Sequence, residues 1–508
     1  MTKPDTQSQS IFAPITGPVF SAPELPTYEA LMDCIRCGRC LAACPTYQQT
    51  TLETFSPRGR LSLMRAVEDG KLDLADAGVE EHLYHCLDCR ACNTVCPVSI
   101  PIGELIVEGR AAVEAKHPRH WLIRLILNHA LISPRRIQWF TPPLRWAQQL
   151  KLDRLGVALL GWLPKVGPAL KELVQLAPKM PRPLWGELQK SQALKARVHA
   201  GVSAPELQKH PSTAGRAHSE RNAVESKNAR PSAQDATSYR VGFFLGCVMN
   251  VAFADASRAT VEVLKRFNCE VITPADQMCC GAPQDDQGLK DTARKLAKQN
   301  IAAFEALGHL DAIVADCAAC SGFLKEYERV FHGDAEWADR AARFSSKVRD
   351  ITEWLDQIMP SSADFSRSQP PTKVGATHTA LPPTKVGATK ITYHEPCHLA
   401  NVQGVRRQPR AVLARLAQLG VETCELADST RCCGSAGIYN LTHSAMSKEL
   451  LDRKMADVEA TGADVVVSAN PGCLLQLEWG ARRTGSDVKV KHVTQLVLES
   501  IEQQASNA

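Results

Sequence analysis

Apolar residues recur along this chain in two rhythms, and the change between them marks its organisation. From residue 104 to 203 they return at helical spacing, most clearly in WLIRLILNHALI at 121–132. Prolines at 134, 142, 143, 164, 168, 178, 181 and 183 cut that stretch into short helices, because each removes a helical N–H and crowds the preceding turn. After residue 239 short apolar runs alternate with amphipathic helices. RVGFFLGC (240–247) and KITYHEPC (390–397) read as strands ending at a cysteine, followed by helices around ATVEVLKRF (259–267) and AVLARLAQLG (411–420). Second strands follow in EVITPA (270–275) and VETCELA (421–427), and third strands in DAIVADCAAC (311–320) and DVVVSANPGC (464–473). The two series superpose: Cys247 to Cys397 is an offset of 150, while Cys279 to Cys432 and Cys320 to Cys473 are both 153. Residues 239–360 and 390–503 are thus an internal duplication of α/β units with parallel strand pairing.

Polar stretches separate these pieces. Residues 1–30 are rich in Pro, Ser and Thr and are expected to form a flexible tail. Residues 204–238 lack large apolar residues and read as a disordered linker, since they cannot bury a core. A second linker, 361–389, contains PPTKVGAT twice. Lengthening a loop costs little closure entropy, so the repeat carries no functional reading.

Charge and composition narrow the class. The formal net charge is +5, yet residues 101–240 hold 22 Lys+Arg against 10 Asp+Glu, leaving the remainder of the chain at −7. This basic region also contains Trp121, Trp139, Trp146, Trp162 and Trp185. Basic helices with tryptophan suit a partner subunit or a peripheral contact with the inner face of the cell membrane; the same mix is met in nucleic-acid binders, but no nucleic-acid motif accompanies it. The opening MTKPDTQSQSIFAPITG lacks a basic segment followed by an apolar one, and no apolar run is long enough to span a bilayer, so a cytoplasmic chain is expected. Nineteen cysteines in such a setting point to metal or redox chemistry more than to disulfides.

Their spacing tests that idea. Within residues 31–103, Cys34, Cys37, Cys40 and Cys44-Pro45 form C-x2-C-x2-C-x3-C-P, and Cys86, Cys89, Cys92 and Cys96-Pro97 repeat it. This is the run of two-cluster bacterial ferredoxins, in which the fourth cysteine serves the other cluster. The expected sets are Cys34, Cys37, Cys40 with Cys96, and Cys86, Cys89, Cys92 with Cys44. Zinc knuckles also use C-x2-C pairs but need neither the triplet nor the trailing Cys-Pro. Between the runs, Arg58 and Arg60 are candidates to offset cluster charge, or ordinary surface arginines, beside a helix at LSLMRAVEDG (61–70). Each duplicated unit adds a candidate set: Cys247, Cys279, Cys280, Cys317 and Cys320 in the first, Cys397, Cys432, Cys433 and Cys473 in the second. Asn470 stands where the first unit has Cys317, and Gly281 and Gly434 follow the paired cysteines, where a tight turn is needed. Cys269 and Cys424 lie in or beside strands and read as buried apolar residues. His394, His398 and His443 are candidates to hydrogen-bond a cluster sulfur or replace a ligand, or are ordinary hydrogen-bonded residues.

These units resemble the cysteine-rich CCG domains of heterodisulfide reductase B subunits. The order of a two-cluster ferredoxin domain, a helical stretch and two CCG units resembles the iron–sulfur subunits of glycolate oxidase. The similarity rests on C-x2-C-G-x-C-x3-CPTY at 34–47, SPRGR at 56–60, FLKEY at 323–327, CCGSAGIYNLTH at 432–443 and NPGC at 470–473. It implies a multidomain α+β and α/β protein: a ferredoxin-like helical domain with two [4Fe-4S] clusters, a helical middle and two CCG domains that can hold further clusters. It implies electron transfer from flavin-binding subunits that oxidise glycolate to glyoxylate, on to a quinone or other acceptor. The sequence offers no dinucleotide fingerprint and no hydride-transfer site of its own. Related iron–sulfur subunits of lactate and glycerol-3-phosphate dehydrogenases are alternatives, as is a zinc-stabilised scaffold for flavoprotein subunits.

Overall fold

A computed structural model of the chain describes residues 27–139, 141–152, 174, 180–199, 239–360 and 389–507. Residues 1–26 of the expected tail, the first linker, the second linker up to residue 388 with nearly all of its duplicated PPTKVGAT, and Trp162 lie outside the described residues; residues 27–30, placed in the tail by sequence, open α1, and Thr389 opens β5. The N-terminal lobe is built from helices: α1 (Thr27–Met32), α2 (Arg39–Ala43), α3 (Pro45–Thr50), α4 (Pro57–Glu68), α5 (Ala77–Tyr84), α6 (Ala91–Val95) and α7 (Ile102–Lys116). No strand occurs among its described residues, so the α+β expectation becomes a helical lobe beside two α/β units. The expected helix at 61–70 is α4. Ser56 caps it, its Oγ accepting from Gly59 N at 3.0 Å, with Pro57 at the first position where no N–H is needed. Leu61, Met64 and Val67 face inward from α4 and meet Leu83, Leu105 and Val113 in the lobe's core.

Each duplicated unit carries a four-stranded parallel sheet of the same order. In the first it is β2-β1-β3-β4, with β1 at Tyr239–Phe244, β2 at Cys269–Ile272, β3 at Ala312–Ala315 and β4 at Val348–Asp350. In the second it is β6-β5-β7-β8, with β5 at Thr389–Tyr393, β6 at Val421–Cys424, β7 at Val465–Ser468 and β8 at Lys489–His492. Six of the strands are those expected; β4 and β8 are additional. Registers repeat, Val241 opposing Ala312 as Ile391 opposes Val465. Because the chain leaves β1 in one direction and returns on its other side as β3, each sheet has a switch point at the carboxyl ends of those strands, where α/β folds place ligand sites.

The units are not separate bodies. Val241, Val263 and Ile351 of the first share one apolar core with Ile391, Leu413 and Val497 of the second. The helix Ala254–Arg266 packs on Val493–Asn507, and reciprocally Ile351–Ile358 packs on Arg407–Arg415. Polar groups in this seam are paired: Thr260 and Thr494 hydroxyls lie 2.9 Å apart, and the His492 ring sits 3.0 Å from the Asp316 carbonyl.

Candidate functional site

The two cysteine runs fold alike. Arg36 and Gly38 in the first and Asp88 and Arg90 in the second all adopt positive φ, at 56°, 82°, 46° and 56°. Such left-handed residues coil each loop so that successive cysteines face inward, at a cost of roughly 1–2 kcal/mol for each non-glycine. Helices α2 and α6 then pack together and deliver Cys44 and Cys96 at their ends. Cys44, Cys86, Cys89 and Cys92 line one pocket, together with Arg60, Asp88 and Arg90. Cys34 and Cys40 lie close enough for their charges to interact.

Three buried arginines surround that cavity's loop. Arg60, 1% exposed, donates from Nε to His82 O at 2.7 Å and from Nη2 to Thr46 Oγ1 at 3.1 Å, with Nη1 4.0 Å from Cys44 Sγ. Arg90 pairs with Asp88 and Glu104, and Arg110 with Asp286 and the carbonyls of Cys86 and Leu83. Burial pushes the Cys86 thiol up while Arg60 and Arg110 pull it back. Cys89 and Cys92 are held well above the usual thiol range by burial and by neighbouring cysteines. A metal group that binds thiolate removes this penalty, since it displaces the proton. Arg58 is different: it is half-exposed, pairs with Glu53 at 2.6 Å and donates to Arg36 O at 3.0 Å, bracing the first loop.

In the first repeat all five expected cysteines are buried and converge. Cys247 Sγ lies 3.7 Å from Cys279 Sγ, and Cys280 meets both Cys279 and Cys320. Cys317, at the end of β3, accepts from Cys320 N at 3.3 Å. Hydrogen bonds from Cys279 and Cys320 pull the Cys280 thiol down to about 6. Gly281 takes φ +97°, and a side chain there would press on Phe323 at 3.1 Å, so the Cys-Cys-Gly turn requires glycine. The Cys280 carbonyl accepts from Tyr327 OH at 2.6 Å, and the Cys279 carbonyl from Asn300 Nδ2 at 2.9 Å.

The second repeat brings together Cys397, Cys432, Cys433 and Cys473, each interacting with the next in that order. Gly434 takes φ +86°. Asn470 does not point away as a spare residue: its Oδ1 accepts from Ala319 N at 3.1 Å across the repeat boundary, and its Nδ2 lies 3.5 Å from Cys473 Sγ. His398 Nδ1 is 3.5 Å from Cys397 Sγ, and its Nε2 is 3.9 Å from Asp88 Oδ2. His443 stacks on Tyr439 at 4.5 Å and lies outside the thiol group; burial lowers it to about 4. Cys269 is buried in the core, and Cys424 donates to Ile391 O at 3.1 Å; neither joins a set.

The dicluster loop and the second repeat touch directly. Leu87 and Cys89 share an apolar cluster with Cys432, Tyr439 and Leu450, and Asn401 donates to Cys89 O at 2.9 Å. Sequence reasoning missed Arg90, Arg110 and Asn401. Arg110 and Asn401 act on groups distant in the chain, Asp286 and the Cys89 carbonyl, and Arg90 bridges Asp88 to Glu104 of α7; no local pattern marks any of the three. Of the tryptophans, Trp185 is core, packed with Phe243 and Val261, whereas Trp121 and Trp146 are exposed.

Comparison with known proteins follows the same divisions. The 4Fe-4S dicluster domain family matches residues 30–100, and the CCG cysteine-rich domain family matches 241–325 and 391–478. A Bacillus subtilis (strain 168) protein named probable glycolate oxidase iron–sulfur subunit is 34% identical over 477 residues, 92% of this chain and 94% of that protein. This chain belongs to the glycolate oxidase iron–sulfur subunit family. The Escherichia coli (strain K12) glycolate oxidase iron–sulfur subunit is 28% identical over 478 residues, 93% of this chain and 95% of that one. Lactate utilization protein A of Oceanobacillus iheyensis is 33% identical over 258 residues, 96% of that protein but 51% of this chain. The family's iron–sulfur character fits the thiol-lined cavity and the converging repeat sets.

Proposed function

We propose that this chain is the electron-transfer subunit of a glycolate oxidase, taking electrons from flavin-binding subunits that oxidise glycolate to glyoxylate and passing them to a quinone or other acceptor. The observation that carries the reading is the junction of thiol sets: Cys89, of the pocket lined by Cys44, Cys86 and Cys92, lies close to Cys432 and Cys397 across an apolar contact with Leu87, Tyr439 and Leu450. Cys34, Cys37, Cys40 and Cys96 hold one [4Fe-4S] cluster, and Cys86, Cys89, Cys92 and Cys44 the other. The repeat cysteines hold further iron–sulfur groups: five thiolates in the first, four in the second. When bound, such groups accept and donate single electrons. The chain's own residues hold them, exclude water and bring cationic side chains to anionic thiolates. Arg60, Arg90 and Arg110 do the last of these.

No described helix is long and apolar enough to cross a membrane. The exposed side chains of Trp121, Leu122, Leu125 and Trp146 support the basic middle as the surface for a partner subunit or peripheral membrane contact. Anaerobic purification with the flavin subunits, metal and sulfide analysis, and a substrate screen test the function. C89S is expected to lose one dicluster signal and acceptor reduction together. Full acceptor-linked activity with that signal gone refutes the wire. Half-length similarity to lactate utilization protein A favours lactate as the second substrate to screen.

A further inference from the structure

Among the differences between the repeats around their thiols, His398 replaces Val248 beside Cys397, and two others bear on the fifth donor. By the offset of 153, Cys317 becomes Asn470; by the offset of 150, Phe244 becomes His394. Phe244 is wholly buried and stacked on Phe304 at 6.0 Å. His394 occupies the same place beyond β5 at 1% exposure. Its backbone is fixed on both sides: His394 N donates to Val467 O at 2.9 Å, and His394 O accepts from Ser468 Oγ at 3.1 Å. Its ring is not satisfied. Neither Nδ1 nor Nε2 has a hydrogen-bond partner, though an imidazole buried in that way leaves both a donor and an acceptor uncompensated. One ring nitrogen, Cys433 Sγ and Cys473 Sγ all lie within 4.8 Å of one another, and all three residues are buried.

We propose that His394 is a metal ligand of the second repeat, one imidazole nitrogen taking the place of the fifth thiolate. Each repeat then offers five donors: five thiolates in the first, four thiolates and an imidazole in the second. Asn470 cannot fill that role, because its carbonyl oxygen is engaged by Ala319 N and its amide nitrogen faces Cys473 Sγ. Neutral imidazole in place of thiolate makes the second group one charge less negative. Exchanging thiolate for imidazole raises the reduction potential of an iron–sulfur centre, so the second repeat is the more oxidising of the pair. The assignment rests on the reading of the second repeat as an iron–sulfur site.

The test uses the full chain, purified anaerobically with 15N-labelled histidine, and pulsed EPR of its oxidised and reduced states. The signal that disappears in C433S belongs to the second repeat. That signal is expected to carry a strong 15N coupling in the wild type. H394F, which copies Phe244, should lose the coupling, and H394C should restore a five-thiolate group without it; the dicluster signals should stay in both. If either variant fails to fold, H398F decides: it should keep the strong coupling, whereas its loss there assigns the coupling to His398, 3.5 Å from Cys397 Sγ, and overturns the proposal. A second-repeat signal without strong histidine coupling overturns the ligand assignment and leaves the cluster reading intact. If C433S removes no iron–sulfur signal, or the site carries zinc, the cluster reading falls and the assignment with it.

Discussion

Arg60 offers the sharpest test of how the lobe tunes its clusters. Its guanidinium is buried, 4.0 Å from Cys44 Sγ, and its other nitrogens are fixed on His82 O and Thr46 Oγ1. A unit charge at that distance is worth about 4 kcal/mol at an effective dielectric constant of roughly 20. An electron added to a cluster spreads over atoms up to about twice as far away, which reduces the value to ~2 kcal/mol. For one electron this is roughly 90 mV. R60Q should therefore lower one cluster's potential by about that amount and leave the other within a few tens of millivolts. R60K separates charge from structure: it keeps the cation, so the potential stays near wild type, but it loses the planar fork. The two buried acceptors then cost roughly 1–3 kcal/mol each in stability. EPR-monitored redox titration of the anaerobic chain reads the potentials, and thermal unfolding reads the stability. The crossed ligand set adds a second requirement. Arg58 braces the other loop, so R58Q should disturb the cluster that R60Q leaves alone. If R60Q moves neither cluster, or both variants move the same one, the placement of Arg60 against a crossed Cys44 is wrong.

Three further outcomes follow from packing and titration. Gly288 has φ +82°, and an added Cβ would lie 2.7 Å from Arg110 O on α7, so G288A should cost about 2–4 kcal/mol through strain and overpacking and speed hydrogen exchange in α7; unchanged exchange would contradict the docking described. Burial raises Asp316 to about 7, against the pull of Ser257 and Thr260. A raised carboxyl stabilises below its unfolded value and loses that contribution as pH rises through about 7, so D316N should gain about 2 kcal/mol relative to wild type between pH 5.5 and 8; a pH-independent difference in unfolding would show the carboxyl to be ionised in the fold. Y327F leaves the Cys280 carbonyl without its 2.6 Å donor and should cost about 1–2 kcal/mol in thermal unfolding, with no loss expected if water replaces the hydroxyl.

What the sequence disclosed and what it hid divide along the distance over which each feature is decided. Cysteine spacing is local, so both dicluster runs and the nine repeat cysteines could be read directly, and the offset between repeats carried the fold with them. Strands β1, β3, β5 and β7 announced themselves as apolar runs because both faces are covered. Strands β4 and β8 did not: Val-Arg-Asp and Lys-Val-Lys-His are edge strands, paired on one side only, and their polar residues hide them. The arginines failed for another reason. Arg110 looks like one more charge on a helix, and its partner Asp286 lies 176 residues away, so its burial exists only once the lobe meets the first repeat. His394 was visible as a candidate, but only the structure reveals that both ring nitrogens lack partners.

The lobe is attached to the two repeats by different means, and the difference bears on how the relay holds its geometry. Toward the first repeat the contacts are ionic: Lys290 reaches Glu108 at 2.7 Å and Asp285 at 3.0 Å, and Arg110 pairs with Asp286. Buried pairs of this kind gain little net stability, because desolvation offsets most of the attraction, but a mismatched docking would leave a charge buried alone and cost several kcal/mol. They therefore select one register for the lobe. Toward the second repeat the contact is mainly apolar, Leu87 and Cys89 against Cys432, Tyr439 and Leu450, with Asn401 donating to Cys89 O at 2.9 Å and His398 Nε2 3.9 Å from Asp88 Oδ2. Its apolar part tolerates sliding, and its few polar contacts fix a register less firmly than the buried charges do, yet it packs the two thiol sets against each other. Register is thus set mainly at the ionic face, and close packing of the thiol sets is supplied at the other. On this account, cutting the ionic anchor by D286N should loosen the spacing between the Cys89 and Cys432 sites without touching either, and the magnetic interaction between their groups should weaken in the reduced protein. An unchanged interaction would mean that the apolar contact sets the register after all.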